Sequence, residues 1–135
     1  MDLSSAMTIA AAGMRAQSAR LRVTAENLAN AESTATVAGG DPFRRKIVSF
    51  AARADRDSGL ELVDVARYGE DGSDFELRYQ PGHPAADAAG YVKYPNVSPL
   101  IELVDMREAQ RSYEANLNAM QLARSMIGRT LDLLR

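Results

Sequence analysis

Few side chains in this sequence are equipped to do chemistry. His83 is the only histidine, it stands in a Pro81-Gly82-His83-Pro84 turn, and the chain has no cysteine and no His-Glu-x-x-His spacing to complete a metal site. Carboxylates between Asp55 and Glu76 are numerous enough to supply a general acid and a general base. They alternate with strand-forming residues, however, and lack the apolar surroundings that tune a catalytic carboxyl, so they read as a solvated face. Gly39-Gly40 runs into Asp41-Pro42 instead of a helix start bearing Lys-Ser or Lys-Thr, which excludes a phosphate loop. Arg44-Arg45-Lys46 is three bases beside a strand, a pattern that suits a salt-bridging patch better than a nucleic-acid site. The chain therefore reads as a non-enzyme, with no cofactor, no metal site, no small-molecule substrate and no nucleic-acid partner.

Composition agrees. Sixteen Lys and Arg against eighteen Asp and Glu give a net charge of −2, which offers no electrostatic footprint for an anionic polymer. The excess acid sits in residues 32–98, with eight basic and eleven acidic groups. Three phenylalanines, five tyrosines and no tryptophan leave few large rings for a globular core, and this favours helix–helix seams. The short apolar run from Ala6 to Met14 has Asp2 where a secretory signal carries Lys or Arg, and it continues into a helical pattern, so no cleaved signal peptide is expected.

The residues that do recur at fixed spacing are apolar, and they define the elements. From Leu3 to about Asn30 there is no proline, and Met7, Met14, Leu21 and Leu28 repeat every seven residues with Ala11, Ser18 and Ala25 between them. Those small residues would let a partner helix come close. Ser98-Pro99 marks a second helix start, with Glu102 placed in the first turn to favour the dipole. Beyond it Met106, Tyr113, Met120, Ile127 and Leu134 form one heptad series and Leu103, Gln110, Leu117, Arg124 and Leu131 the other. Between the helices, Arg44 to Phe50, Leu60 to Tyr68, Phe75 to Tyr79 and Tyr91 to Tyr94 read as short strands separated by turn residues.

The expected fold class is mainly α: long N- and C-terminal helices pairing as a coiled-coil-like layer, with a small β-rich middle. The expected segments are 1–31 and 99–135 as assembly helices and 32–98 as an outward-facing β-rich segment. A stripe this long exceeds what so small a middle covers, so packing against neighbours becomes the expected function. The candidate interface comprises Met7, Met14, Leu21, Asn27, Leu28, Asn30, Leu103, Met106, Tyr113, Leu117, Met120, Ile127, Leu131 and Leu134.

Three segments carry a resemblance: Ala25-Glu26-Asn27-Leu28-Ala29-Asn30-Ala31-Glu32-Ser33-Thr34, Tyr94-Pro95-Asn96-Val97-Ser98-Pro99 and Arg111-Ser112-Tyr113-Glu114-Ala115-Asn116. The first resembles the Asn-rich motif of bacterial flagellar axial proteins. The second narrows the likeness to the proximal rod proteins, and Pro42-Phe43-Arg44-Arg45-Lys46 and Tyr79-Gln80-Pro81-Gly82-His83-Pro84 extend it along the chain. Ser98 stands where that family has asparagine and Leu28 where it has isoleucine, both mild changes.

The resemblance implies a structural subunit of the flagellar basal-body rod, the drive shaft that crosses the periplasm and transmits motor torque. It further implies export without a cleaved signal peptide by the flagellar type III apparatus. The implied partners are other copies, other flagellar rod proteins, and membrane-ring and export components. Asn27 and Asn30, at a helix end, would hydrogen-bond backbone at a subunit contact. A cytoplasmic coiled-coil adaptor would explain the stripes but not the Tyr-Pro-Asn-Val segment.

Overall fold

A computed structural model describes residues 2–134. Helix α1 spans Leu3–Ala29, then come β1 (Lys46–Ala54), β2 (Glu61–Glu70), β3 (Glu76–Tyr79) and β4 (Tyr91–Tyr94), and α2 spans Pro99–Leu133. The chain is mainly α with a small β-rich middle, and each strand expected from the sequence is present, with its bounds shifted by at most four residues. Strands β1 and β2 form one antiparallel pair and β3 and β4 the other.

The helix ends follow from local chemistry. Asp2 caps α1: its side chain accepts hydrogen bonds from the Ser4 and Ser5 N–H groups, and its carbonyl receives that of Ala6. Asn30 closes the other end, its amide donating to the Glu26 carbonyl while its own oxygen accepts from the Ser33 hydroxyl. At the start of α2 the Ser98 carbonyl accepts the Glu102 N–H, with Pro99 at the first helical position, where its missing N–H costs nothing.

Two compact units are present, and they cut across the three sequence segments. One comprises Arg22–Ile47 and Tyr68–Met106; the other takes Val48–Arg67 with the helical residues before Arg22 and after Met106. The first will be called the hub unit and the second the distal unit.

The hub unit holds the β3–β4 pair, in register Glu76 with Tyr94 and Tyr79 with Tyr91. Alternation sends Val92 and Tyr94 inward, where they pack with Ala85 and, at the edge, Ala35 and Ala86. The Tyr94 hydroxyl donates to Gln80 Oε1 at 2.8 Å, and the Arg78 guanidinium lies 4.0 Å over its ring. Gly90, at φ +88°, brings its backbone against the Tyr79 ring, where an added Cβ would come within 2.9 Å. His83 is a turn residue, its Nδ1 accepting the Ala85 N–H at 3.0 Å.

In the distal unit the helices run antiparallel. Arg20 pairs with Glu108 at 3.4 Å, and Gly13 lies against Asn116 so closely that a Cβ there would be 2.7 Å from its Oδ1. The buried positions are small: Ala10, Ala12, Ala16 and Ala19 on α1, Ala109 and Ala123 on α2. Such small side chains each bury little area, so long helices are needed to accumulate stability.

Candidate assembly interface

The hub unit contains a polar site that the sequence only half disclosed. Asn27 is fully buried near the end of α1; its Oδ1 accepts the Lys46 N–H and its Nδ2 donates to the Lys46 carbonyl, both at 2.8 Å. This side chain thus imitates a strand partner for the first residue of β1. The same Nδ2 donates to Glu102 Oε2 at 3.2 Å. Glu102, expected only to favour the α2 dipole, is fully buried instead.

A buried carboxylate needs a partner, and Arg45 supplies it. Its Nε donates to Glu102 Oε1 at 2.5 Å, while its terminal nitrogens lie 3.5 Å from Asp71 and 3.8 Å from Asp105. Partial burial works against the Arg45 charge, but the bond to Glu102 and the three carboxylates outweigh it, so the guanidinium stands above its ordinary pKa. Bonds from the Ser73 backbone N–H and hydroxyl, and then the Arg45 charge, hold Asp71 below the usual carboxylate range.

Asn96 completes the hub. Its Oδ1 accepts the Arg45 N–H at 2.8 Å and its Nδ2 donates to the Asp71 and Ser73 carbonyls. Arg44 donates to the same two carbonyls and lies 4.2 Å over the Phe75 ring. Lys46 pairs with Glu26. Within the Arg44-Arg45-Lys46 run, Arg45 and Lys46 are therefore salt-bridged, while Arg44 is held by backbone carbonyls and a ring.

The candidate interface residues fall into three situations. Asn27 is enclosed by its own chain, and Asn30 is half-buried and used in capping. Met7, Met14, Leu21, Leu28, Met106, Tyr113, Leu117, Met120 and Ile127 are half-buried. Leu103, Leu131 and Leu134 are exposed. In the hub unit Leu103 belongs to an exposed patch with Leu100, Ile101 and Val104.

On α1 the stripe of large residues is not the buried line, which runs through Ala12, Ala16 and Ala19 in the distal unit. Heptad reading follows bulk, whereas the residues that the fold buries on this part of α1 are small. The dense alanines of Ile9-Ala10-Ala11-Ala12-Gly13 were the available signal for that seam.

Two of the three segments that carried the resemblance contribute to the hub: the Asn-rich segment gives Asn27, and the segment before α2 gives Asn96. A protein of Agrobacterium fabrum described as flagellar basal-body rod protein FlgC is 51% identical over 133 residues, covering 98% of this chain and 96% of its own. The chain belongs to the FlgC family of flagellar basal-body rod proteins. FlgC proteins of Escherichia coli and Bacillus subtilis are 43% and 37% identical, covering 98% and 94% of this chain and 98% and 95% of their own. Residues 88–133 match the model of the flagellar basal body rod FlgEFG protein C-terminal region. FlgC proteins are structural rod subunits, and this membership disfavours the coiled-coil adaptor.

Proposed function

We propose that the chain builds the proximal part of the flagellar rod, polymerising through its terminal helices so that motor torque passes along the assembly. The observation that carries this reading is the amount of apolar side chain that a single copy leaves open along helices of roughly 40 and 52 Å. Leu100, Ile101, Leu103 and Val104 in the hub unit, and Leu122, Met126, Leu131 and Leu134 in the distal unit, all stand exposed. Isolated globular proteins seldom show such stripes, and neighbouring subunits would cover them.

In this reading the hub anchors the β-rich middle, and Met7, Met14, Leu21, Leu28, Met106, Tyr113, Leu117, Met120 and Ile127 form the partly covered margin of the contacts. The partners are other copies and other rod proteins, with membrane-ring and export components met during assembly. No catalytic role is required. The rod crosses the periplasm, and Asp2 caps α1 as a working part of the helix, which fits export with the N-terminus intact.

Purified basal bodies analysed by mass spectrometry test the reading. The chain is expected in the rod fraction with its N-terminal peptide present. Its absence from basal bodies of swimming cells would overturn the rod assignment, and loss of the first 15 to 30 or so residues would overturn the export route.

A further inference from the structure

Asp71-Gly72 is the one step in the sequence at which an aspartate or asparagine precedes glycine. Such a step is chemically weak, because glycine has no side chain to hinder its own N–H. The Gly72 nitrogen can bond to Asp71 Cγ while the Cγ–OH bond breaks, and water leaves with the amide proton to give a five-membered succinimide. Water then adds back and opens the ring on either side. Opening at the main-chain carbonyl leaves the chain running through Cγ as isoaspartate, a change of connectivity with no change of composition and no oxidant.

Burial does not shield this bond. Asp71 is half-buried, and Gly72 and Ser73 are exposed, so water reaches them. The hub unit holds the step by hydrogen bonds instead. Arg44 Nη1 donates to the Asp71 carbonyl at 2.9 Å and the Asn96 amide donates to it at 3.0 Å; the same two side chains reach the Ser73 carbonyl at 3.1 and 3.2 Å. The Asp71 N–H donates to the Arg45 carbonyl at 2.8 Å, Oδ1 accepts the Ser73 N–H at 2.9 Å, and Oδ2 lies 3.5 Å from Arg45 Nη1. Asp71 is therefore fixed through its N–H, its carbonyl and its carboxylate at once.

Ring closure has to undo two of these restraints. A peptide unit is planar, so any turn of the Gly72 nitrogen about the Asp71 Cα–C bond carries the Asp71 carbonyl oxygen with it, away from its two donors. The carboxyl oxygen must also leave as water, which requires the protonated acid. The Ser73 bonds, and then the Arg45 charge, favour the ionised form and hold Asp71 below the usual carboxylate range.

We infer that Asp71 is a latent modification site guarded by the hub: the Asp71-Gly72 step endures while Arg44 and Asn96 clamp it, and it converts to isoaspartate when the hub opens. The conversion prevents reclosure. It adds a methylene to the main chain and leaves the free carboxylate directly on Cα, so the bonds to Ser73, Arg45, Arg44 and Asn96 no longer fit together.

Full-length chain would be aged at near-neutral pH, native and in urea, and isoaspartate located by peptide mapping. Asp57-Ser58, in the exposed turn between β1 and β2, lies outside the hub unit and serves as the internal reference. The Asp71-to-Asp57 ratio is expected to be at least about tenfold lower in the native chain than in urea, and Asn96→Ala should raise the native ratio at least about fivefold, the shift in open population that loss of one hydrogen bond gives. Should Asn96→Ala fail to fold, Arg44→Met removes the other donor to the same carbonyl and carries the same expectation. Equal ratios in the native chain and in urea would overturn the guard, as would a folded variant whose ratio stays at the wild-type value. Gly72→Ala tests the route: Gly72 lies outside the left-handed region and a Cβ there meets nothing within 4 Å, so the fold has room for it. Conversion in urea should slow in that variant, and conversion at the wild-type rate would overturn ring closure through the Gly72 nitrogen.

Discussion

Asn27 and Glu102 are 75 residues apart in sequence, yet Nδ2 of one lies 3.2 Å from Oε2 of the other, and neither side chain is exposed. An amide meets the carboxylate of a second helix while it also closes two backbone hydrogen bonds of Lys46. This makes the hub sensitive to the loss of any single member.

Arg45→Met should be the most damaging substitution there, because it leaves the Glu102 carboxylate buried without its cation, a loss of about 3–5 kcal/mol. Asn27→Ala, which strands a backbone N–H and C=O, should cost roughly 1–3 kcal/mol per unsatisfied group. Urea unfolding followed by tyrosine fluorescence measures both. An Arg45→Met midpoint equal to wild type would show that solvent reaches Glu102.

Gly13 offers a sharper test of the contact between the helices in the distal unit. A Cβ there would press on the Asn116 amide, so Gly13→Ala alone should lower stability even though alanine is the better helix former by about 1 kcal/mol. Combining it with Asn116→Ala removes the obstruction, and the double variant should recover that propensity gain. A thermal-melt cycle in which the two substitutions simply add would refute close contact at this point.

Acid should loosen the hub unit. The folded-state pKa of Asp71 is lowered, first by the Ser73 N–H and hydroxyl bonds and then by Arg45, so its contribution is present above the ordinary carboxylate pKa and lost as pH falls through the folded value. Urea midpoints should therefore decline from about pH 5 downward. Asp71→Asn, which cannot titrate, should show a shallower decline than wild type; parallel curves would remove Asp71 from the account.

Leu117 is half-buried on the α2 stripe between Tyr113 and Met120, and Asn118, one residue on, is exposed. Leu117→Asp removes roughly 1.5–3 kcal/mol of burial and adds a desolvation penalty of several kcal/mol, repeated in each copy. Rod assembly should fail, whereas Asn118→Asp should leave swimming near normal. Motility counts and recovered basal bodies decide between them, and normal motility of Leu117→Asp would show that this stripe is not an assembly surface.

By itself the sequence determined what depends on near neighbours along the chain. The run without proline, the Ser98-Pro99 start and the β-branched stretches between turn residues mark both helices and all four strands, because helix and strand formation answer to spacing and local capping. It also marked Asn27, Asn96 and Tyr94 as special, through the motifs that hold them. What those residues touch was decided only by tertiary structure. Glu102 looks like a dipole group until the chain reverses and brings Arg45, 57 residues away, against it. The buried line of α1 was equally hidden, since bulk dominates a hydrophobic stripe while the fold encloses Ala12, Ala16 and Ala19 and leaves Met7 and Met14 half-buried. Periodicity says that a helix has an apolar side; which side the partner takes depends on the size of residues from two distant segments, and on how far each helix runs past the other.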